Sequence, residues 1–487
     1  MKKCPYCNNL IQEYWSYCHH CDKPLLVNVQ NQDRITDGHL YDDKIDYNIN
    51  YSYSTYEPKA NRSLYDINLN IDENFDAKIQ NIDKTIDNYI TSGKPIGLLL
   101  FEKASLYYLK KNYDFALKTL ENALNNFQAD DDILNIAISY NEMGLIQEDL
   151  GFHDNSIYHF EKSIDLLRKI NDVNKLIKVY NNIANVYYLI KDIEHSYEYY
   201  DKALNLAVKE NLIPEEIKTS SNLVDILFNL KDYDKIDKIL KRNLEYFRQI
   251  GDYYGIIITL IKIGKLNYLI GPDKFDSSFK NLLKALEIIN RIKVNDKFSV
   301  ENKAKLEWEC LFYLGKLYLA QNHYNESEDY LFRSLEAIRI SEIGSSDIQE
   351  SIILESLGNL FEKKADFKKS IEYYKLASEI YYKFGDDLNY AELKYKIAQI
   401  FLKFDELESI KNFEETLDIF KDLNYFKRVA EILHKLGDIY VNRNVIELAI
   451  SYFQQAKEFF MDLNDDFNVK LIKEKIISLD DSYTDKT

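Results

Sequence analysis

The sequence predicts an all-α solenoid of stacked helix pairs, and three observations carry that prediction. A small residue, replaced once by valine, recurs along the chain: Ala104, Gly144, Ala184, Val224, Gly264, Gly315, Gly358, Ala398 and Gly437, at steps of 40, 40, 40, 40, 51, 43, 40 and 39 residues. Within one such unit, residues 176–210, the helical period is plain: Tyr180, Ile183, Ala184 and Tyr187 mark a first helix (A), and Ser196, Tyr200, Ala203 and Leu204 a second (B). Six prolines and fourteen glycines in 487 residues leave little material for β-turns. A fixed period of this length means stacked units that bury a core only against their neighbours. Length alone therefore does not divide the chain into several globular domains.

The first element is a cysteine module. Four of the five cysteines lie in the first 21 residues, as Cys4-Pro5-Tyr6-Cys7 and Cys18-His19-His20-Cys21. Two C-x2-C pairs at short separation supply the four thiolates that tetrahedral Zn2+ takes, and Asn8 and Asp22 follow each pair where a left-handed backbone is wanted. Residues 3–26 resemble the short zinc-ribbon modules that open many prokaryotic proteins. We therefore expect a zinc ribbon over 1–26 with Cys4, Cys7, Cys18 and Cys21 as ligands. Four thiolates leave no open coordination position, so the expected zinc is structural, and it would supply most of the folding free energy of so short a segment, about 10 kcal/mol. A disulfide pairing is the competing reading. No apolar leader precedes the cysteines, which favours the metal and a cytoplasmic protein.

Residues 27–71 have little periodicity and are rich in Asp, Asn and Tyr, as in Asp42-Asp43-Lys44-Ile45-Asp46-Tyr47. Such a stretch reads as a disordered linker. The net charge is −18, of which −16 falls on residues 72–487. An acidic array repels phosphate backbones, so nucleic acid is an unlikely partner for it. The segment 1–26 carries Lys2, Lys3 and Lys23 against Glu13 and Asp22, and zinc bound by four thiolates adds −2, which is poor for phosphate as well. The most apolar run, Gly255–Ile261, is stopped by Lys262, so no membrane span is expected.

The repeat units come next. Residues 73–92 read as a helix covering the first unit, and 468–479 as one covering the last. The layout within each unit, with a small residue at position 8, an aromatic three later and small, aromatic and small residues at positions 20, 24 and 27, resembles the tetratricopeptide repeat nine times over residues 97–465. Later marks are Ala116, Leu120 and Ala123 in the first unit, Ser370, Tyr374 and Ala377 in the seventh, and Ala449, Phe453 and Ala456 in the ninth. The resemblance implies a right-handed superhelical solenoid. Gly251-Asp252, Gly385-Asp386, Asn171-Asp172 and Asn464-Asp465 supply a left-handed C-cap and then an N-cap at the unit junctions. This long form is similar to kinesin light chains, Pins-type adaptors and Rap-type peptide receptors. Two extra residues at Gly271-Pro272 and a spacer, Asn290–Ala304, divide the array. We expect a front block over 72–290, of a capping helix and five repeats, and a rear block over 291–487, of four repeats and a capping helix.

The resemblance also implies where binding occurs. Helix A lines the concave face, and its positions 5, 9 and 12 project into it. In the front block these include Tyr108, Asn141, Leu145, Glu148, Asn181, Asn185, Tyr188 and Phe228. An amide side chain offers a donor and an acceptor together, so it pairs with peptide backbone irrespective of sequence. Asn141, Asn181 and Asn185 are thus the expected backbone readers, and Tyr108, Tyr188 and Phe228 the apolar contacts. Ordinary solvated positions in an Asn-rich chain are the competing reading.

No G-x-G-x-x-G, P-loop, H-E-x-x-H or G-x-S-x-G stands in the chain, and the histidines are scattered. Cys310 reads as a small buried apolar residue. The expectation is a non-enzymatic adaptor or scaffold that binds a protein or peptide segment. The alternative is a regulatory sensor whose zinc ribbon contacts nucleic acid or another protein.

Overall fold

The computed structural model describes residues 2–3, 10–11, 62–63, 74–292, 300–341 and 348–479. These residues are helical throughout the array, with one short strand pair at the N-terminus. In that pair β1 (Lys2–Lys3) runs antiparallel to β2 (Leu10–Ile11), Lys2 opposite Ile11 and Lys3 opposite Leu10. The four cysteines expected to bind zinc lie outside the described residues.

The array contains two compact units, one within residues 48–271 and one within 272–487. The first starts with α1 (Phe75–Thr91), whose Ile79, Ile82 and Ile86 pack with Leu106 of the next helix. Helix pairs follow: α2 (Gly97–Leu109) with α3 (Tyr113–Ala129), α4 (Ile133–Asp149) with α5 (His153–Ile170), α6 (Val173–Leu189) with α7 (Ile193–Lys209), and α8 (Ile213–Leu230) with α9 (Tyr233–Ile250). The unit ends with α10 (Tyr253–Ile270). This is the one described helix long and apolar enough to cross a membrane. It serves here as an A helix, with Ile256, Ile257, Leu260 and Ile261 buried.

The second compact unit opens with a 3-10 turn, Pro272–Lys274, and α11 (Phe275–Arg291), which packs on α12 (Val300–Ala320). After α13 (Tyr324–Ile340) come α14 (Ile348–Lys363) with α15 (Phe367–Lys383), α16 (Asp387–Phe401) with α17 (Glu406–Asp422), and α18 (Phe426–Asn442) with α19 (Ile446–Asp462). The last helix, α20 (Asp466–Leu479), buries Ile472 and Ile476 against the ninth pair. Cys310 on α12 is fully buried, its thiol donates to the Leu282 carbonyl at 3.2 Å, and burial pushes its pKa up. It is a packing residue with little thiolate character.

The small residue at position 8 is small because a ring from helix B lies on it. A Cβ on Gly144 would sit 2.7 Å from Phe160, and one on Gly358 or Gly437 2.5 Å from Tyr374 or Phe453. In each case the ring is sixteen residues on, at position 24. The position-20 serine then ties the two helices. Ser156, Ser196 and Ser370 donate to the carbonyls of Gly144, Ala184 and Gly358 at 2.8, 2.9 and 2.8 Å. The hydroxyl satisfies itself inside the core while leaving the close approach intact.

At the junctions Asn171, Gly251, Gly385 and Asn464 are left-handed, with φ of 55°, 70°, 69° and 56°. Each following aspartate accepts the amide three residues on, at 3.0–3.2 Å. The left-handed turn also recurs inside the pairs. Lys111, Asp131, Gly151, Asn171, Lys191, Asn211, Lys231 and Gly251 all have positive φ, so the forty-residue step is two steps of twenty.

Candidate peptide-binding groove

Helices α4, α6 and α8 are successive A helices and lie next to one another in the first compact unit. The six residues expected to form the groove all fall on A helices: Tyr108 on α2, Asn141 on α4, Asn181, Asn185 and Tyr188 on α6, and Phe228 on α8. The structure separates them into different roles.

Asn141 is buried, and its amide does meet backbone. Its Nδ2 donates to the carbonyl of Arg62 at 3.3 Å and to Glu142 Oε1 at 2.9 Å. Its Oδ1 accepts from Asn182 Nδ2 at 2.8 Å. Asn182 in turn donates to the same Arg62 carbonyl at 2.9 Å. Arg62 belongs to the stretch read as linker, 120 residues before Asn182 in the chain. Its guanidinium spreads over both helices. Nη1 and Nη2 donate to the two oxygens of Glu148 at 2.8 and 2.5 Å, Nε donates to Asn182 Oδ1 at 3.1 Å, and Nη2 reaches the Asn182 carbonyl at 3.4 Å. The Glu148 side chain is 4 % exposed and that of Arg62 15 %. Ser63, the next residue, is buried as well. A paired fork of this kind is the strongest form of carboxylate recognition, and the low exposure keeps it from being screened.

Asn181 faces the other way. Its Nδ2 donates to the Ile177 carbonyl at 3.0 Å and to Thr219 Oγ1 on α8 at 2.9 Å, and its buried Oδ1 has no partner among the described residues. Asn185 accepts a hydrogen bond from the Tyr200 hydroxyl of its own unit. Tyr108 donates to Asp149 Oδ2 at 2.8 Å and stands against Tyr113 with ring centroids 5.8 Å apart. Burial, then the nearby Glu142 carboxylate, pushes its hydroxyl up to about 12, while Arg62 pulls the other way. Tyr188 is 40 % exposed. Phe228 is half-buried beneath the Lys265 ammonium, which lies 4.6 Å from the ring centre. Among the six predicted residues, Asn141 hydrogen-bonds to the Arg62 backbone. It is joined by Glu148, which the position-12 register had placed in the groove, and by Asn182, which that register had not.

Asn182 stands at position 6 of its unit, and two lysines at that position also reach across to the preceding A helix. Lys262 there reaches Asp225 at 2.9 Å and the Ser221 carbonyl at 3.3 Å, and Lys396 reaches Glu355 at 2.7 Å and Asn359 at 3.4 Å. At the equivalent place on α20, Lys475 reaches Asp438 at 2.5 Å and His434 at 2.9 Å. Every partner lies 37 or 41 residues earlier, at position 9 or 5 of the preceding unit. Asn182 shares that register with Lys262, Lys396 and Lys475, but so does Asn222, so position alone did not mark Asn182. Among the described residues no group of three or more His, Cys, Asp or Glu side chains forms a metal cluster.

Residues 135–209 match the family model described as tetratricopeptide repeat, and residues 358–482 that of soluble NSF attachment protein, SNAP. No curated protein matches the sequence. Among solved structures, the apo form of the quorum sensor NprR from B. thuringiensis is similar at 14 % identity and a TM-score of 0.50, over 72 % of this chain and 97 % of that one. A STAND-type signal transduction ATPase with a tetratricopeptide repeat sensor, from Pyrococcus horikoshii, is similar at 14 % identity and a TM-score of 0.47, over 73 % of this chain. This chain spans 55 % of that protein's length. A Rap protein complexed with competence and sporulation factor is similar at 16 % identity and a TM-score of 0.42, over 77 % and 99 %. The helical array is of the tetratricopeptide-repeat type.

Proposed function

We propose that this protein is a non-enzymatic interaction protein whose front A helices hold an extended protein or peptide segment. One observation carries the reading. The Asn141 and Asn182 amides both donate to a main-chain carbonyl of a residue that belongs to no repeat, which is how a groove reads peptide backbone without regard to side chains. The expected setting is the cytoplasm. The test is affinity capture with the full chain and with an Asn141→Ala/Asn182→Ala variant of unchanged helicity. Partners held by the full chain should be lost from the variant, and an identical set would overturn the reading.

The cysteine module is proposed to hold one structural Zn2+ through Cys4, Cys7, Cys18 and Cys21. Support comes from their spacing and from the antiparallel pairing of Lys3 with Leu10, which flank the first C-x2-C in the sequence. Metal analysis of purified protein should find one zinc per chain, absent when Cys4 and Cys18 are both changed to serine. Protein that is fully folded and zinc-free would exclude it.

A further inference from the structure

Arg62 fills the joint between α4 and α6 with both halves of an amino-acid residue. Its carbonyl takes two amide donors, and its guanidinium takes a carboxylate, an amide oxygen and a helix carbonyl. Extending the groove reading above, we propose that this joint is a recognition site for an arginine within an extended peptide, filled here by the chain's own Arg62, and that an arginine-bearing partner segment engages the protein by displacing it.

The chemistry selects arginine over lysine. Glu148 meets the two terminal nitrogens together while Nε is bonded separately to Asn182, and a lysine ammonium is a single point that cannot span these acceptors. The protein uses lysine where it closes such a joint by itself, at Lys262, Lys396 and Lys475. At this joint position 6 is Asn182, and Glu148 at position 12 takes an arginine from outside the repeats. The occupant is also local. Arg62 lies thirteen residues before the start of α1 at Phe75, so it competes from within the same chain, as an intramolecular occupant with an effective concentration on the order of millimolar. A partner in trans must outcompete that concentration.

The test titrates the full chain and its R62A variant against a labelled peptide of residues 57–68 (Glu-Pro-Lys-Ala-Asn-Arg-Ser-Leu-Tyr-Asp-Ile-Asn), read by fluorescence anisotropy. The R62A chain should bind the peptide at least about tenfold more tightly than the unmodified chain, because a site that is mostly occupied lowers apparent affinity by its free fraction. A peptide with Lys in place of its arginine should lose at least about tenfold on the R62A chain, and so should the parent peptide on an R62A/E148Q chain. Should R62A lose helicity, Arg62→Lys keeps the charge, loses the paired contacts and serves in its place. Equal binding to the unmodified and R62A chains overturns the displacement, and binding indifferent to the peptide's arginine overturns the specificity. No binding to any chain overturns the proposal outright. The groove reading is judged separately: capture that still depends on Asn141 and Asn182 leaves it standing, and capture independent of them removes both.

Discussion

The joint between α4 and α6 and the joint between α14 and α16 are built at the same repeat positions and closed in opposite ways. In the rear joint, Lys396 at position 6 crosses to Glu355 and Asn359 at positions 5 and 9 of the unit before it. The ion pair is complete within the array, and both side chains are about 30 % exposed. In the front joint, position 6 is Asn182 and position 5 is Asn141, so no charge crosses, and Glu148 at position 12 is answered by Arg62 from outside the repeats. In these two joints, then, the lysine makes a strut, and Asn182 with Asn141 and Glu148 makes a receptor.

The comparison is broken most severely at Arg62. Arg62→Ala leaves Glu148 buried without a counter-charge and should cost about 3 kcal/mol, the lower end for removing one partner of a buried pair. Chemical denaturation followed by circular dichroism measures it, and a loss below about 1 kcal/mol would put this pair in the class of surface ion pairs. The next effect tests what the joints have in common. Asn185 and Asn359, both at position 9, accept the hydroxyls of Tyr200 and Tyr374 from position 24 of their own units. Changing either to alanine removes one acceptor from a largely buried hydroxyl, Tyr374 keeping Glu362 Oε2 at 3.2 Å, and should cost about 1 kcal/mol. If only one did, the two blocks would differ in their packing as well as in their joints. Lys396→Ala should cost less than about 1 kcal/mol, because its pair is a third exposed and screened by water and salt. A loss equal to that of Arg62→Ala would erase the distinction between strut and receptor.

The smallest effect is on pH. Tyr108 stays protonated up to about 12 in the folded chain, against an ordinary tyrosine value near 10. Its contribution to stability is therefore fully present below pH 10. Above that the unfolded chain releases the proton first, so the contribution falls and is lost as pH rises through about 12. Ultraviolet titration of the Tyr108→Phe difference spectrum should show that delayed ionisation. In Arg62→Ala it should move later still, since the arginine favours the phenolate.

The array was legible in the sequence because its rule is steric and local. In seven of the nine units the residue at position 8 has a ring or leucine sixteen residues later to accommodate, and asparagine or glycine before aspartate marks a junction. The joint was only half legible. Asn141 could be found because position 5 faces the neighbouring A helix. Asn185 satisfied the same position rule but has a tyrosine in its own unit to satisfy, and that competition shows only when positions 9 and 24 are read together. Asn181, also at position 5, was drawn to Thr219 instead. Arg62 was hidden altogether. Its segment has no period, and a single residue held by charge and amides leaves no pattern for periodicity to detect.

The left-handed residues spaced twenty apart, from Lys111 to Gly251, carry a consequence for how such a chain changes length. A gain or loss of forty residues between equivalent turns, such as Asn171 to Asn211, removes or adds one A and one B helix and rejoins like to like. A change of twenty would set two A helices in succession, with no ring to cover the position-8 residue of the first. Length in this protein is therefore quantised in pairs. Because six of those eight turns are not glycine, each holds a conformation that costs an ordinary residue about 1–2 kcal/mol outside such a turn. The packing on either side outweighs that cost, so the breakpoints at which the chain can be lengthened are also among its most constrained places.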